Sequence, residues 1–117
     1  MTGRRSVLFA LLGVSALSVA WLAPAALGTS SAKYSVTATD FAFKIAPARV
    51  KPGAHTFTVV NRGEATHDFK IGNRKTRILN PGQRQTIKVT LRKGRYNYLC
   101  TVPGHAALGM KGRVVVR

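Results

Sequence analysis

The chain has 117 residues, a single cysteine and a strongly basic composition, with 19 Lys+Arg against 3 Asp+Glu and a formal net charge of +16. One cysteine excludes an internal disulfide, and the length leaves room for one small domain rather than two. We find no internal repeat and no low-complexity segment in the sequence.

Residues 1–32 have the composition of a targeting segment. Arg4 and Arg5 precede an uncharged stretch rich in Ala, Leu and Val at residues 6–27, and small residues follow it. This order is typical of a secretory signal peptide, and the arginine pair resembles a twin-arginine signal. An uncleaved membrane anchor at residues 6–27 is the alternative, because about 20 apolar residues are enough to span a bilayer. Both interpretations predict an exported protein, periplasmic or extracellular.

Residues 33–117 are predicted to form one all-β domain. Short β-branched and aromatic runs are separated at close intervals by turns that contain Pro, Gly or Asn, and no amphipathic helix of normal length appears. This pattern is typical of a β-sandwich or barrel. The predicted strands cover residues 34–39, 41–45, 55–61, 68–71, 85–91, 95–100 and 112–116.

Three residue types that bind soft metals recur at intervals of five near the C-terminus, as Cys100, His105 and Met110. A thiolate, an imidazole and a thioether on one loop suit copper, and a trigonal His₂Cys set with a weak axial Met is typical of blue-copper sites. The second histidine is His67, which lies in a separate loop between two strand-like runs. Taken singly, each residue is more often a core or solvated side chain. Together they predict a copper centre.

The domain resembles the cupredoxins, and most of all the small plastocyanin/azurin-type copper proteins. This resemblance covers nearly all of the chain after residue 33. It rests on the candidate ligands and on the segments Asn61-Arg62-Gly63, Asn80-Pro81-Gly82-Gln83, Gly94-Arg95-Tyr96-Asn97-Tyr98-Leu99-Cys100 and Gly109-Met110-Lys111-Gly112.

The resemblance implies a Greek-key β-sandwich that holds one copper ion per chain. His67, Cys100 and His105 would be the equatorial ligands and Met110 the axial one. Asp68 stands where many cupredoxins carry Asn, so the usual amide link between the two ligand loops must be replaced. We expect the Asp68 carboxylate to accept hydrogen bonds from the hydroxyl or the backbone N–H of Thr101.

The charge of the domain predicts its partners. Residues 33–117 carry 17 Lys+Arg against 3 Asp+Glu, a formal +14. Such a surface favours electrostatic steering to an acidic or membrane-bound redox partner or to an anionic membrane surface, and a merely solvated basic surface is the alternative of equal weight. No nucleic-acid-binding motif organises these charges, and export argues against such a partner. We expect a monomer.

Two functions remain open, one-electron transfer between redox partners and copper delivery or storage. A nearly closed site that contains a thiolate favours electron transfer, because delivery sites more often use exposed Met and His. Catalysis is not expected, since copper oxidases and reductases need further histidine-rich centres and only His55 remains. His55 is predicted to lie on the polar side of its strand and is not assigned as a ligand.

Overall fold

The computed structural model describes Gly3, residues 13–18 and residues 31–117. The predicted signal segment therefore lies largely outside the described residues, and its cleavage or anchoring stays a prediction. Within the described part of the chain, no helix has the length and apolar character needed to cross a membrane.

The described chain contains eight β-strands in two four-stranded sheets. The first sheet has the order β2-β1-β3-β6 and the second the order β5-β4-β7-β8. β1 and β3 are parallel, and the other paired strands are antiparallel. The strands are β1 (Lys33–Thr39), β2 (Ala42–Ala46), β3 (Gly53–Asn61), β4 (Lys70–Ile71), β5 (Arg74–Lys75), β6 (Arg84–Leu91), β7 (Gly94–Leu99) and β8 (Lys111–Val116).

Alternation of buried and exposed side chains explains why these segments form a sandwich. In β1, β3, β6 and β8, every second residue points into a core shared by both sheets, as the period of two in a strand requires. Phe57 of β3 lies at the centre of this core and stacks on Tyr34 with ring centroids 5.0 Å apart. Truncating a buried Phe to Ala typically costs about 3–5 kcal/mol. The predicted all-β sandwich is confirmed.

The strand bounds differ from the prediction at one site in particular. We predicted a single strand at residues 68–71, whereas the structure has a two-stranded hairpin of β4 and β5. β5 consists of Arg74 and Lys75, both exposed, and therefore carries no hydrophobic signal that a sequence pattern could reveal. The other predicted strands agree with the observed ones to within one or two residues.

The prediction that His55 lies on the polar side of β3 is wrong. His55 is only 1% exposed and lies on the same inward row as Phe57 and Val59. Its Nδ1 accepts the backbone N–H of Ala32 at 3.0 Å, and its Nε2 lies 2.5 Å from the carbonyl of Lys51. Burial is tolerated because both ring nitrogens have hydrogen-bond partners.

Candidate metal centre

One loop, which joins two paired strands, carries three of the four predicted site residues. Leu99, at the end of β7, is paired with Lys111, at the start of β8, so the intervening segment must turn back on itself. The N–H of Cys100 donates to the carbonyl of Met110 at 3.0 Å and closes the base of this loop. Within it, the N–H of Met110 donates to the carbonyl of His105 at 3.1 Å. The five-residue intervals therefore correspond to one compact hydrogen-bonded loop.

A second loop, between β3 and β4, carries His67. The backbone of His67 exchanges two hydrogen bonds with Leu79, at 3.0 and 2.7 Å. The buried side chain of Asn61 donates to the carbonyls of Ala65 and Leu79 and accepts the N–H of Gly63. Because every polar group of this amide is bonded, the loop between Asn61 and His67 has a defined path.

The donor atoms of His67, Cys100 and His105 meet at one end of the sandwich, all within 4.8 Å of one another. The two histidines face each other through Nδ1, at 3.1 Å, and Cys100 Sγ lies 3.7 Å from His105 Nδ1. Met110 is fully buried and packs in one cluster with Cys100 and Ala38. The structure thus brings all four predicted site residues to the same place.

This arrangement fits a transition-metal ion. Nitrogen and sulfur ligands bind such ions at about 2.0–2.3 Å, so ligand atoms around one ion lie about 3–4 Å apart. The distance between the two Nδ1 atoms, 3.1 Å, and that between Cys100 Sγ and His105 Nδ1, 3.7 Å, are of this size. One thiolate with two imidazoles is also a donor set that suits copper, and the nearby thioether adds a weak soft donor.

Burial changes the acid–base chemistry of the thiol. It raises the pKa of Cys100, and the nearby negative charge of Asp68 adds to this effect. The thiol is therefore protonated near neutral pH in the metal-free protein. Because a metal binds the thiolate, loading must release this proton, and the apparent metal affinity must fall as the pH decreases.

Asp68 joins the two ligand loops, as predicted. Its Oδ1 accepts the backbone N–H of Thr101 at 2.5 Å, and its Oδ2 accepts the Thr101 hydroxyl. Asp68 is buried, directly follows His67, and bonds the residue that directly follows Cys100. The expectation that this carboxylate replaces the usual amide link is confirmed.

The sequence interpretation missed a third loop at the site, the turn between β1 and β2. Asp40 in this turn lies with its Oδ1 2.5 Å from His67 Nε2. The backbone N–H of Glu64 and then the hydrogen bond from His67 hold the pKa of Asp40 below its ordinary value. The neighbouring Phe41 packs edge-on against His105, with ring centroids 5.0 Å apart. An aspartate between two strands indicates only a turn, so no local signal pointed to this contact.

A family model of copper binding proteins, the plastocyanin/azurin family, matches residues 30–117. A search of curated protein sequences gives no significant match.

Solved structures that share the fold include two auracyanins and rusticyanin. Auracyanin A, a "blue" copper protein from Chloroflexus aurantiacus, is 17% identical with a TM-score of 0.62, covering 75% of this chain and 100% of that one. Auracyanin from Roseiflexus castenholzii is 21% identical with a TM-score of 0.60, covering 77% and 98%. Rusticyanin from Thiobacillus ferrooxidans is 18% identical with a TM-score of 0.59, covering 73% and 77%.

Proposed function

Because the chain belongs to the plastocyanin/azurin family of copper binding proteins, we propose that it is an exported one-electron carrier. Its cupredoxin fold and its site for one copper ion, both predicted from the sequence, are confirmed by the family match and the shared fold. The chain is a blue copper protein with a type 1 site.

In this proposal, His67, Cys100 and His105 would hold copper through Nδ1, Sγ and Nδ1, and the thioether of Met110 would be the weaker fourth ligand. The assignment is supported by the convergence of the three donor atoms and by the burial of Met110 beside Cys100. Bound copper supplies the one-electron Cu(II)/Cu(I) couple. The protein supplies a site whose side chains are held by the β7–β8 loop, the Leu79 bridge and the Asp68 link.

The observation that carries the proposal is the difference in exposure among the four site residues. His67, Cys100 and Met110 are buried, at 1% or less, whereas His105 is half-buried and reaches the surface. Leu108, 63% exposed, lies in the same loop, together with exposed Pro103. An apolar surface around one imidazole edge suits brief contact with a redox partner, and three buried ligands disfavour release of the ion to a recipient.

The histidine inventory favours a carrier over an enzyme. The chain has three histidines, and His55 is the one outside the site. Both ring nitrogens of His55 already bond backbone groups, so it is not available for a second copper centre. In an exported protein, the single buried cysteine would be protected by the metal from oxidation.

The sequence supports a proposed location, proposed partners and a proposed oligomeric state. We place the protein in the periplasm or outside the cell, with residues 1–32 as a signal or residues 6–27 as an anchor. Its redox partners are acidic proteins or acceptors at an anionic membrane surface, because residues 33–117 carry a formal +14. The carrier acts as a monomer.

The test is a Cu(II) titration of the purified metal-free protein, followed by a redox titration and a measurement of electron self-exchange. We expect an intense visible band at one copper per chain, reversible one-electron reduction and measurable self-exchange. Cys100→Ser is the control, because the band requires a copper-bound thiolate. Persistence of the band in Cys100→Ser contradicts the site, and a normal band without self-exchange or reversible reduction contradicts the carrier role.

A further inference from the structure

We propose that Asp40 is a positioning residue of the copper site: its carboxylate accepts the Nε2–H of His67, fixes the tautomer of this ligand and favours the oxidised state. The inference rests on the proposed function, since it concerns the ligand role of His67.

The two nitrogens of the His67 ring have different partners. Nε2 lies 2.5 Å from Asp40 Oδ1, and Nδ1 lies 3.1 Å from His105 Nδ1, among the metal donors. An ionised carboxylate only accepts hydrogen bonds, so the proton of a neutral His67 ring must be on Nε2. The lone pair is then on Nδ1, where a metal needs it. Because His67 is 1% exposed, solvent is largely kept from the ring.

Asp40 is itself held in position by the loop that carries His67. Its Oδ2 accepts the N–H of Glu64 at 2.9 Å, and its carboxylate lies 3.3–3.4 Å from the N–H of Ala65. These donors belong to the segment between β3 and His67, whereas Asp40 belongs to the turn after β1. The carboxylate therefore fastens a third loop to the site.

Gly63 provides the space that this contact needs. A Cβ atom on Gly63 would lie 2.9 Å from His67 Nε2 and closer still to Asp40 Oδ1. Any side chain here would push the carboxylate and the imidazole apart. Glycine at this position thus permits the close approach of backbone, carboxylate and ring.

The contact between Asp40 and His67 places a negative charge beside a proposed copper ligand. The chain has only three acidic residues, and Asp40, Glu64 and Asp68 are all near the metal site. A carboxylate that accepts a hydrogen bond from a ligating imidazole makes the other ring nitrogen a stronger electron donor to the metal. The added electron density stabilises Cu(II) more than Cu(I), because the oxidised ion has the larger charge. Removing the carboxylate charge should therefore raise the reduction potential.

The test compares the copper-loaded wild type with Asp40→Asn and the matched control Glu64→Gln. Asn keeps an oxygen for the backbone N–H groups of Glu64 and Ala65 but loses the negative charge at His67. Glu64→Gln removes the same unit charge from an exposed neighbour whose side chain has no hydrogen bond to His67 among the described residues.

We expect Asp40→Asn to lower the ratio of Cu(II) to Cu(I) affinity by about tenfold. For a one-electron couple this change raises the potential by about 59 mV. Glu64→Gln should shift it much less, because both carboxylates are solvent-exposed but only Asp40 hydrogen-bonds the His67 ring directly, so that solvent and salt screen the charge of Glu64 at the copper site. Equal shifts in the two variants, or no shift in Asp40→Asn, would overturn the proposal.

Two further measurements keep the inference testable if Asp40→Asn folds poorly. Gly63→Ala should raise the potential in the same direction, because the added methyl displaces the carboxylate. Proton NMR of the Cu(I) protein should show a slowly exchanging Nε2–H of His67 in the wild type and in Glu64→Gln, with faster exchange in Asp40→Ala. Unchanged exchange in Asp40→Ala would contradict the proposed contact. A wild type without the thiolate-to-copper band would instead contradict the proposed function.

Discussion

The two buried histidines, His55 and His67, lie at opposite ends of the sandwich and are each only 1% exposed. His55 is near the start of β3, and His67 follows the loop after its end. Both rings have two hydrogen-bond partners, so neither burial nor the number of hydrogen bonds distinguishes them. The two histidines differ in the chemical identity of those partners.

At His55, backbone groups form hydrogen bonds with both ring nitrogens. The Ala32 N–H donates to Nδ1, so Nε2 carries the proton and donates to the carbonyl of Lys51. The His55 ring therefore has no free lone pair with which to bind a metal. At His67 a carboxylate takes one nitrogen and the other faces His105 and Cys100. A buried histidine can thus bind a metal when one ring nitrogen donates a hydrogen bond and the other, which keeps its lone pair, faces further donor atoms.

The largest expected effect separates these two roles by mutation. His67→Ala should abolish the intense visible band on adding Cu(II), because the trigonal donor set loses one member. His55→Ala should keep the band but lower the free energy of unfolding of the metal-free protein by about 3 kcal/mol, through a cavity and an unsatisfied backbone N–H. Copper titration and urea unfolding of both variants measure this. Loss of the band in His55→Ala with an intact fold would contradict the different roles assigned to the two histidines.

A smaller effect is expected where the ligand loops are joined. Thr101→Val removes the hydroxyl that donates to Asp68 and leaves this buried carboxylate with the Thr101 N–H and the Cys100 thiol as hydrogen-bond partners. We expect the metal-free protein to lose about 1–3 kcal/mol of unfolding free energy.

Thr86→Val is the matched control for the loop link. It deletes one member of the exposed pair of hydroxyls formed by Thr58 and Thr86, which lies away from the site, and should stay within about 0.5 kcal/mol of the wild type. Equal losses in the two valine variants would show that the Asp68 link contributes no more than a surface hydrogen bond.

Replacing Met110, the proposed axial ligand, should affect the reduction potential more than the stability. Met110→Leu conserves volume in a buried cluster, so we expect a cost below about 1.5 kcal/mol and continued copper binding. The potential should rise, by about the 59 mV that a tenfold change in a one-electron equilibrium represents, because an apolar group stabilises Cu(II) less than a thioether. Voltammetry measures it, and an unchanged potential would show that Met110 is not a ligand.

The convergence of the proposed copper donors was predictable because their signal is local. Cys100, His105 and Met110 occupy one loop between two paired strands, so their spacing in sequence already limits their spacing in space. The role of Asp68 was also accessible, since it is adjacent to His67 and its expected partner Thr101 is adjacent to Cys100.

The outer partner of His67 was not predictable, because Asp40 precedes it by 27 residues and belongs to another turn. Only the tertiary fold brings these two loops together. The prediction of the side of β3 on which His55 lies was wrong for a related reason. Its burial depends on hydrogen bonds with Ala32 and Lys51, which the β3 sequence alone does not contain. Alternation predicts a strand, but the side on which a polar residue lies is decided by such partners.

The smallest effect concerns the basic charge of the domain. If the formal +14 of residues 33–117 steers the protein to an acidic acceptor, the bimolecular electron-transfer rate should fall by about tenfold as salt increases. Over this range the Debye length decreases from about 30 Å at 0.01 M to about 8 Å at 0.15 M. Self-exchange should become faster instead, because two copies of like charge repel and screening lets their His105 surfaces meet. Stopped-flow with an acidic acceptor and NMR line broadening measure the two rates. Flat responses in both would mean that the basic side chains are only a solvated surface.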